Sequence, residues 1–367
     1  MVKCQDVLDF IESIAPASLA EDWDNVGLMV GGRSKKIEKI LVCLDVTKKV
    51  VDEAISIKAD LILSHHPFIF KSFKKIDTDN FKGNLICKLL KNDINVLSAH
   101  TNLDFVKEGV NEQLAHALGL KNLRNLMRYK SENLYKIVVF VPIDSVDAVR
   151  EAISEAGAGW IGNYSDCTFM TAGTGTFKPL EGTNPYIGQR GRIEKVDEYR
   201  LESVVPQRKL SKVIKAMLEA HPYEEPAYDI YLLDRKAEEY GYGRIGTLEN
   251  PQSLNEFVAL IKQRLDVPYV RLIGSVDGKI TKVAVFCGGF DEDIIGALKG
   301  NADVLVTGDV KYNTAVDLVQ MGLCVIDAGH YNTERVIVPK LVEMLQNKFP
   351  EISVVGSREE ENPITFC

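Results

Sequence analysis

The chain carries a partial copy of itself, and a duplicated segment must fold twice into the same supersecondary unit. When the 367-residue sequence is shifted by 243 positions, residues 36–66 lie over residues 279–309 without a gap. KIEKILVCLD (36–45) meets KITKVAVFCG (279–288), and ADLILSHH (59–66) meets ADVLVTGD (302–309). Each stretch reads as strand, helix, strand. Short apolar runs between breakers make the strands. Val50, Val51, Ala54 and Ile55 share helical spacing with Ile294, Ile295, Ala297 and Leu298. A second match, at a shift of 230, sets INVLSAHTNLD (94–104) on CVIDAGHYNTE (324–334), both carrying H-x-N-x-[D/E]. Strand order, helix order and polar tips recur together, which favours duplication over convergence.

The segment between the copies has another rhythm. It predicts a strand over 134–142, a helix over 144–156, a strand over 166–172 and a Gly/Thr/Pro-rich stretch over 173–191. A strand over 198–205, a helix over 209–220 and a strand over 227–233 follow. This β-α-β-β-α-β order is that of a ferredoxin-like module. GYGRIG (241–246) reads as a turn-rich return into the second copy. The expected fold class is α/β. Two duplicated α/β lobes, 1–130 and 237–367, form one metal-binding core, and a ferredoxin-like (βαββαβ) domain, 131–236, is inserted between them.

Composition narrows the function. Lys plus Arg number 44 against 52 Asp plus Glu, a net charge of −8 with no basic block, which argues against nonspecific nucleic-acid binding. The apolar runs are strand-sized, too short for a membrane span, and MVKCQDVLDFIESIAP lacks the apolar core of a signal peptide. Seven cysteines, an odd count with no CxxC pair, disfavour a disulfide framework or a Cys-based zinc module, and ITFC places Cys367 last, unlike a prenylation box. A soluble, cytoplasmic protein is expected.

The histidines carry the chemistry. Of six, His65 and His66 end the predicted strand 61–64, His100 follows the strand that ends near Leu97, and His330 follows the strand 324–326. Open α/β sheets bind ligands beyond the carboxyl ends of their strands. Adjacent strand side chains point apart, but at a strand end before Pro67 both imidazoles can reach one cleft. Imidazole plus carboxylate without thiolate suits a divalent metal: zinc first, with iron, manganese or nickel as alternatives. His65, His66, Asp104, His330 and Glu334 make five donors, which fits a pair of ions roughly 3.5–4 Å apart. The bland alternative is a strand-end histidine bonded to a carbonyl, with Glu334 near a helix start. Recurrence of His plus carboxylate in both copies favours the metal.

At these residues the chain resembles a known family. WDNVGL (23–28), LSHHP (63–67), AHTNLD (99–104), GRIGTL (243–248), TGDVKYN (307–313) and DAGHYNTE (327–334) are similar to motifs of the GTP cyclohydrolase 1 type 2 homologs, also known as the NGG-interacting-factor-like family. The resemblance spans both lobes. It implies a duplicated α/β fold, a dinuclear metal site between the lobes and a toroidal hexamer. It places the ligands on His65, His66, Asp104, His330 and Glu334, with His100 as a neighbour. The insert resembles that of longer bacterial members, similar to nitrogen-regulator and copper-tolerance trimer domains. Asn313 departs from the His that many members carry there.

Other residues have two readings each. Asp309 is the repeat counterpart of His66, a candidate to exchange a proton with a metal-activated water, or a helix cap. Asp45 and Thr47 are orienting partners for His65 or His66, or plain turn residues. Lys311 and Tyr312 contact a substrate phosphate or are solvated. Trp23, in a family-like motif with Asp24 and Asn25, packs on the sheet; Arg244 reaches an anionic ligand or pairs with a carboxylate; and His116 sits on an apolar helical face with Leu114 and Leu118. HPYEEPAYDIY (221–231) makes a subunit contact or, through His221, Glu224 and Glu225, binds metal or a small effector. GTGTF (173–177) lacks the Lys-Ser/Thr of a P-loop. The leading expectation is a metal-dependent hydrolase with two divalent ions per chain, acting on a small anionic or nucleotide ligand. The family name implies opening of the GTP purine ring by water at C8. The rival is a non-catalytic metal-binding regulator, metal chaperone or scaffold whose insert senses an effector.

Overall fold

Alternation along short apolar strands decides the layering. In the strand Lys39–Cys43, Ile40 and Val42 enter one buried cluster while Leu41 and Cys43 enter another. Leu61 and Leu63 of the strand Leu61–Ser64 side with the first cluster, and Ile62 with the second. Strands that are apolar on both sides need a cover on each face. The outer cover is the helix pair Lys48–Ser56 and Phe81–Lys91, through Val50, Val51, Ala54, Leu85, Ile86 and Leu89.

The computed structural model describes residues 1–365; the reading of Cys367 lies outside the described residues. Two compact units are present: Met1–Tyr129 with Tyr240–Cys367, and Lys130–Glu239. The first unit holds two sheets of matching plan. One runs Gly27–Val30, Asn95–Ser98, Leu61–Ser64, Lys39–Cys43, Ser353–Gly356, with the first strand antiparallel to its neighbour and the others parallel. The other begins Arg271–Ile273, Val325–Asp327, Val304–Gly308, Ile280–Gly289, again with an antiparallel edge followed by parallel pairs. Their inner faces share one core: Val42, Leu63 and Leu97 belong to the same cluster as Val283, Val306 and Ile326. Helices Cys4–Ile14, Val110–Ala117, Leu254–Leu265 and Ile337–Lys348 contribute Val7, Leu114, Phe257 and Leu341 to it.

The second unit follows the order strand, helix Val146–Glu155, strand Thr168–Phe177, strand Glu194–Pro206, helix Gln207–Ala220, strand. Glu194–Pro206 pairs antiparallel with both Thr168–Phe177 and residues 134–142. Ile137, Val139, Val149, Ile153, Leu201, Val205, Val213 and Met217 form its own core.

Two loop expectations are corrected. GTGTF lies inside the strand Thr168–Phe177. GYGRIG is no turn but part of the long strand Tyr228–Gln252. There Gly246 lets the chain close on its neighbour, since a Cβ would stand 2.6 Å from Leu123 Cδ2 and 2.8 Å from Lys121 O. Among the described residues, no helix is long and apolar enough to cross a membrane.

Candidate metal centre

His65 and His66 leave the strand Leu61–Ser64 with their N–H groups still donating, to Cys43 O at 3.1 Å and Leu44 O at 2.9 Å. Strand alternation alone would turn the two rings apart. They instead sit 5.1 Å apart, inclined at 42°. His65 is wholly buried, and its Nδ1 lies 2.9 Å from Ala99 O. That contact puts the proton on Nδ1 and leaves Nε2 with a free lone pair. Nε2 is buried without a hydrogen-bond partner, 3.7 Å from Asp104 Oδ1 and 3.8 Å from Glu334 Oε1. An orphaned buried nitrogen costs about 1–3 kcal/mol, and a bound ion is one way to offset it.

The other donors converge on the same place. His66 rests its Nδ1 on Asp45 Oδ1 at 3.0 Å and brings Nε2 to 2.9 Å from Glu334 Oε2. His330 opens the helix His330–Glu334, directly after the strand Val325–Asp327. Its Nδ1 meets Asp309 Oδ2 at 2.9 Å, and its Nε2 stands 3.2 Å from Glu334 Oε2. That buried oxygen makes no aligned hydrogen bond, so the atoms face one another as ligands around a common centre do. His66, His330 and Glu334 offer ligand atoms within 4.8 Å of one another, as do His65, His66 and His100. Asp104, on the short helix Thr101–Phe105, lies 3.5 Å from Cys287 Sγ. All five sequence-expected ligands therefore gather in the first unit.

Their protonation is set by opposed forces. Burial pushes the Asp104 carboxyl well above its ordinary range, and the charge on Glu334 adds to the push. Burial acts alike on Glu334, but the imidazoles of His330 and His66 outweigh it and hold that carboxyl well below the usual range. Burial depresses His65. It would depress His66 too, yet Asp45 and Glu334 raise that imidazole to about 10, and Glu334 with Asp309 raises His330 to about 9. One carboxyl is thus raised and its neighbour lowered, with two imidazoles raised beside them.

The repeat explains an asymmetry. Position 288 is the counterpart of Asp45, but it is Gly288, with φ +68 and room where a Cβ would come 2.2 Å from Glu334 Oε1. In the first copy a carboxylate there orients His66; in the second, a missing side chain admits Glu334. Asp309, left-handed at φ +54, caps no helix: Tyr312–Gln320 starts after Lys311, and Asp309 serves His330 instead.

Sequence reading passed over several neighbours. Asp24 accepts from Thr101 N at 3.1 Å and Thr101 Oγ1 at 2.6 Å, while its other oxygen meets His100 Nδ1 at 2.8 Å. Thr333 Oγ1 accepts from Gly288 N, and Asn111 Oδ1 from Cys287 N. The WDN motif carried Asp24 without pointing to His100. Of the other residues weighed, Thr47 caps the helix Lys48–Ser56 by accepting from Val50 N. Arg244 is buried on Glu112 and the carbonyls of Gly241, Gly243, Phe105 and Val106. Trp23 is not packed under the sheet but 58% exposed, its ring 6.0 Å from that of His100. His116 is exposed rather than on the apolar face, 3.8 Å from Glu112, because Leu114 and Ala115 take the buried side.

The family model for Duf34/NIF3 (NGG1p interacting factor 3) matches residues 2–363. The chain belongs to the DUF34/NIF3 family. A GTP cyclohydrolase 1 type 2 homolog from Halalkalibacterium halodurans is 46% identical, covering 99% of this chain and 98% of its own. One of the same name from Bacillus subtilis is 43% identical over 100% of this chain and 99% of its own. Among solved structures, a Bacillus cereus protein related to NIF3 superposes with a TM-score of 0.89 at 43% identity, covering 100% of this chain and 99% of that one. Staphylococcus aureus protein SA1388 does so with 0.76 at 32% identity and the same coverage. In this DUF34/NIF3 chain the donors open on a cavity of about 490 Å³ whose walls include Trp23, Phe70, His100, Tyr242 and Phe286.

Proposed function

We propose that this DUF34/NIF3 protein holds two divalent ions per chain on His65, His66, Asp104, His330 and Glu334 and uses them for hydrolysis. The observation that carries the reading is His65 Nε2, fully buried, unprotonated and unpartnered between two carboxylates. The nitrogen and oxygen donors suit zinc first, with iron, manganese or nickel as alternatives. Cys287 Sγ lies 3.5 Å from Asp104 Oδ1, and burial, with Asp104, raises its thiol well above the ordinary range. Bound ions would supply Lewis acidity and a water acidic enough to ionise near neutral pH.

The chain's own groups do the rest. Ala99 O, Asp45 and Asp309 hold the far nitrogens of His65, His66 and His330, aiming each Nε2 at the centre. His100, steadied by Asp24, can give or take a proton at its Nε2 beside the cleft. Trp23, Phe70 and Phe286 form an apolar wall. A cavity of about 490 Å³ beside the donors supports a substrate chamber over a closed structural site. The relatives' names make GTP the first substrate to try, as a small anionic nucleotide, with phosphoesters next. We read Lys130–Glu239 as an inserted ferredoxin-like domain on its element order, and the protein as a cytoplasmic homo-oligomer, a hexamer by family resemblance.

Metal content per chain, by plasma mass spectrometry, tests the reading on wild type, His65→Ala and Glu334→Ala. About two divalent ions are expected, reduced by either substitution. No ion after incubation with zinc, manganese or iron would overturn the hydrolase and favour a scaffold. Ions without turnover of GTP or phosphoesters would favour the non-catalytic metal regulator.

A further inference from the structure

The segment HPYEEPAYDIY belongs to the unit Lys130–Glu239, and its histidine is already spent. His221 Nε2 lies 2.9 Å from Phe140 O, and Nδ1 accepts from Tyr223 N at 3.1 Å. His221 therefore fixes the turn rather than offering a ligand atom. The turn aims the Tyr223 hydroxyl at Glu198, donating to Oε1 at 3.0 Å. Glu198, on the strand Glu194–Pro206, is only 7% exposed and forms no ion pair among the described residues. Its Oε2 occupies the space over Gly175, 2.1 Å from where a Cβ would stand.

Three rings line the same cavity as this carboxylate. Phe177 lies 5.7 Å from Tyr223 at 60°, and Tyr186 lies 6.2 Å from it at 52°, so the rings stand as inclined walls rather than a stack. With Glu198, Glu224 and Glu225 they line a cavity of about 320 Å³, of the size that takes a small molecule. A buried carboxylate with one hydrogen bond is costly to desolvate, and aromatic faces carry a negative quadrupole. Both attract a cation and oppose an anion. The one cation in the lining, Lys178, is exposed and outnumbered by three carboxylates. A hard metal ion would want several oxygens converging on one point, and among the described residues these three carboxylates form no such close group of ligand atoms.

We propose that the second unit is a binding site for a small organic cation, an alkylammonium held between Phe177, Tyr186 and Tyr223 against Glu198. Every residue involved lies in Lys130–Glu239, so the site stands whether or not the metal reading does. It gives the insert a ligand of defined chemistry.

Isothermal titration of the full-length protein with choline, against its neutral isostere 3,3-dimethylbutan-1-ol, tests the charge. Choline should bind, and the isostere should bind at least about tenfold more weakly. Tyr186→Ala, at an exposed ring, and Glu198→Gln, which keeps an acceptor for Tyr223, should each weaken choline about tenfold or more. Equal binding of the isostere, or choline binding unmoved by both substitutions, would overturn the proposal. So would no saturable binding of choline, tetramethylammonium or putrescine up to about 10 mM, where even a millimolar site would fill. Should Glu198→Gln fail to fold, the isostere comparison and Tyr186→Ala decide alone.

Discussion

Each imidazole at the centre is held by its far nitrogen, so the orienting partners are where single substitutions separate metal binding from folding. Asp45→Asn and Asp309→Asn should each lower metal affinity about 10–100-fold, read by competition with a chelator, while the fold is kept. His100→Gln should keep the metal and lower hydrolysis by about 10²-fold, since His100 faces the cleft without sharing the ligands' partners. Protonation gives a further test. In the metal-free protein His66 is raised to about 10 and His330 to about 9, so both carry protons at neutral pH and must lose them to bind a metal. Calorimetry in buffers of different ionisation enthalpy should then register about two protons released per chain from these histidines, plus any from Asp104. The same raised values mean that their contribution to metal-free stability is full below about 6.5 and is lost as the pH rises through about 9 to 10. The melting temperature of chelated protein should fall across that window, less steeply in His66→Gln. At this scale the recurring H-x-N-x-[D/E] pointed to Asp104, His330 and Glu334, which the structure brings to one cleft, but not to the Asp24–His100 contact. That contact joins residues 76 positions apart, and no local spacing predicts it.

Among elements, the repeat was legible because strands buried on both faces must be apolar throughout, and two such runs with the same spacing leave little freedom. The turn reading of GYGRIG failed for a physical reason: its glycines are needed for close strand approach, which a single sequence does not distinguish from bending. Gly288 illustrates the same ambiguity at the site. It lies at the end of the strand Ile280–Gly289, and its lack of a side chain is what lets the helix His330–Glu334 bring Glu334 in. Gly288→Ala should cost more than about 1 kcal/mol, because φ is positive and the new methyl meets Glu334 Oε1. Chemical denaturation would measure that cost. Metal content should fall with it, whereas Gly296→Ala, at a position with open space around it, should change neither.

On the scale of the whole chain, the shared core makes the two copies inseparable: inner-face residues of both sheets belong to one cluster, so neither could bury its apolar face alone. The segment Lys130–Glu239 has a core of its own, and all five expected ligands lie outside it. Where that segment leaves and returns, residues 121–127 run antiparallel beside residues 241–247, with Gly246 against Leu123 and Gly241 against Met127. Extrapolated, this register sets Tyr129 near Tyr240, close enough for an Asn-Gly turn to join them as a hairpin. A chain with residues 130–239 replaced by Asn-Gly should therefore unfold cooperatively and bind as much metal per chain as the full-length protein. Chelation should lower its melting temperature by as much as it lowers that of the intact chain, the outcome expected if an ion that binds only the folded state stabilises both by mass action. A folded core that no longer holds metal would instead make the insert a necessary part of the centre. A core that fails to fold would show that the insert's own cluster is needed to hold the two long strands in place.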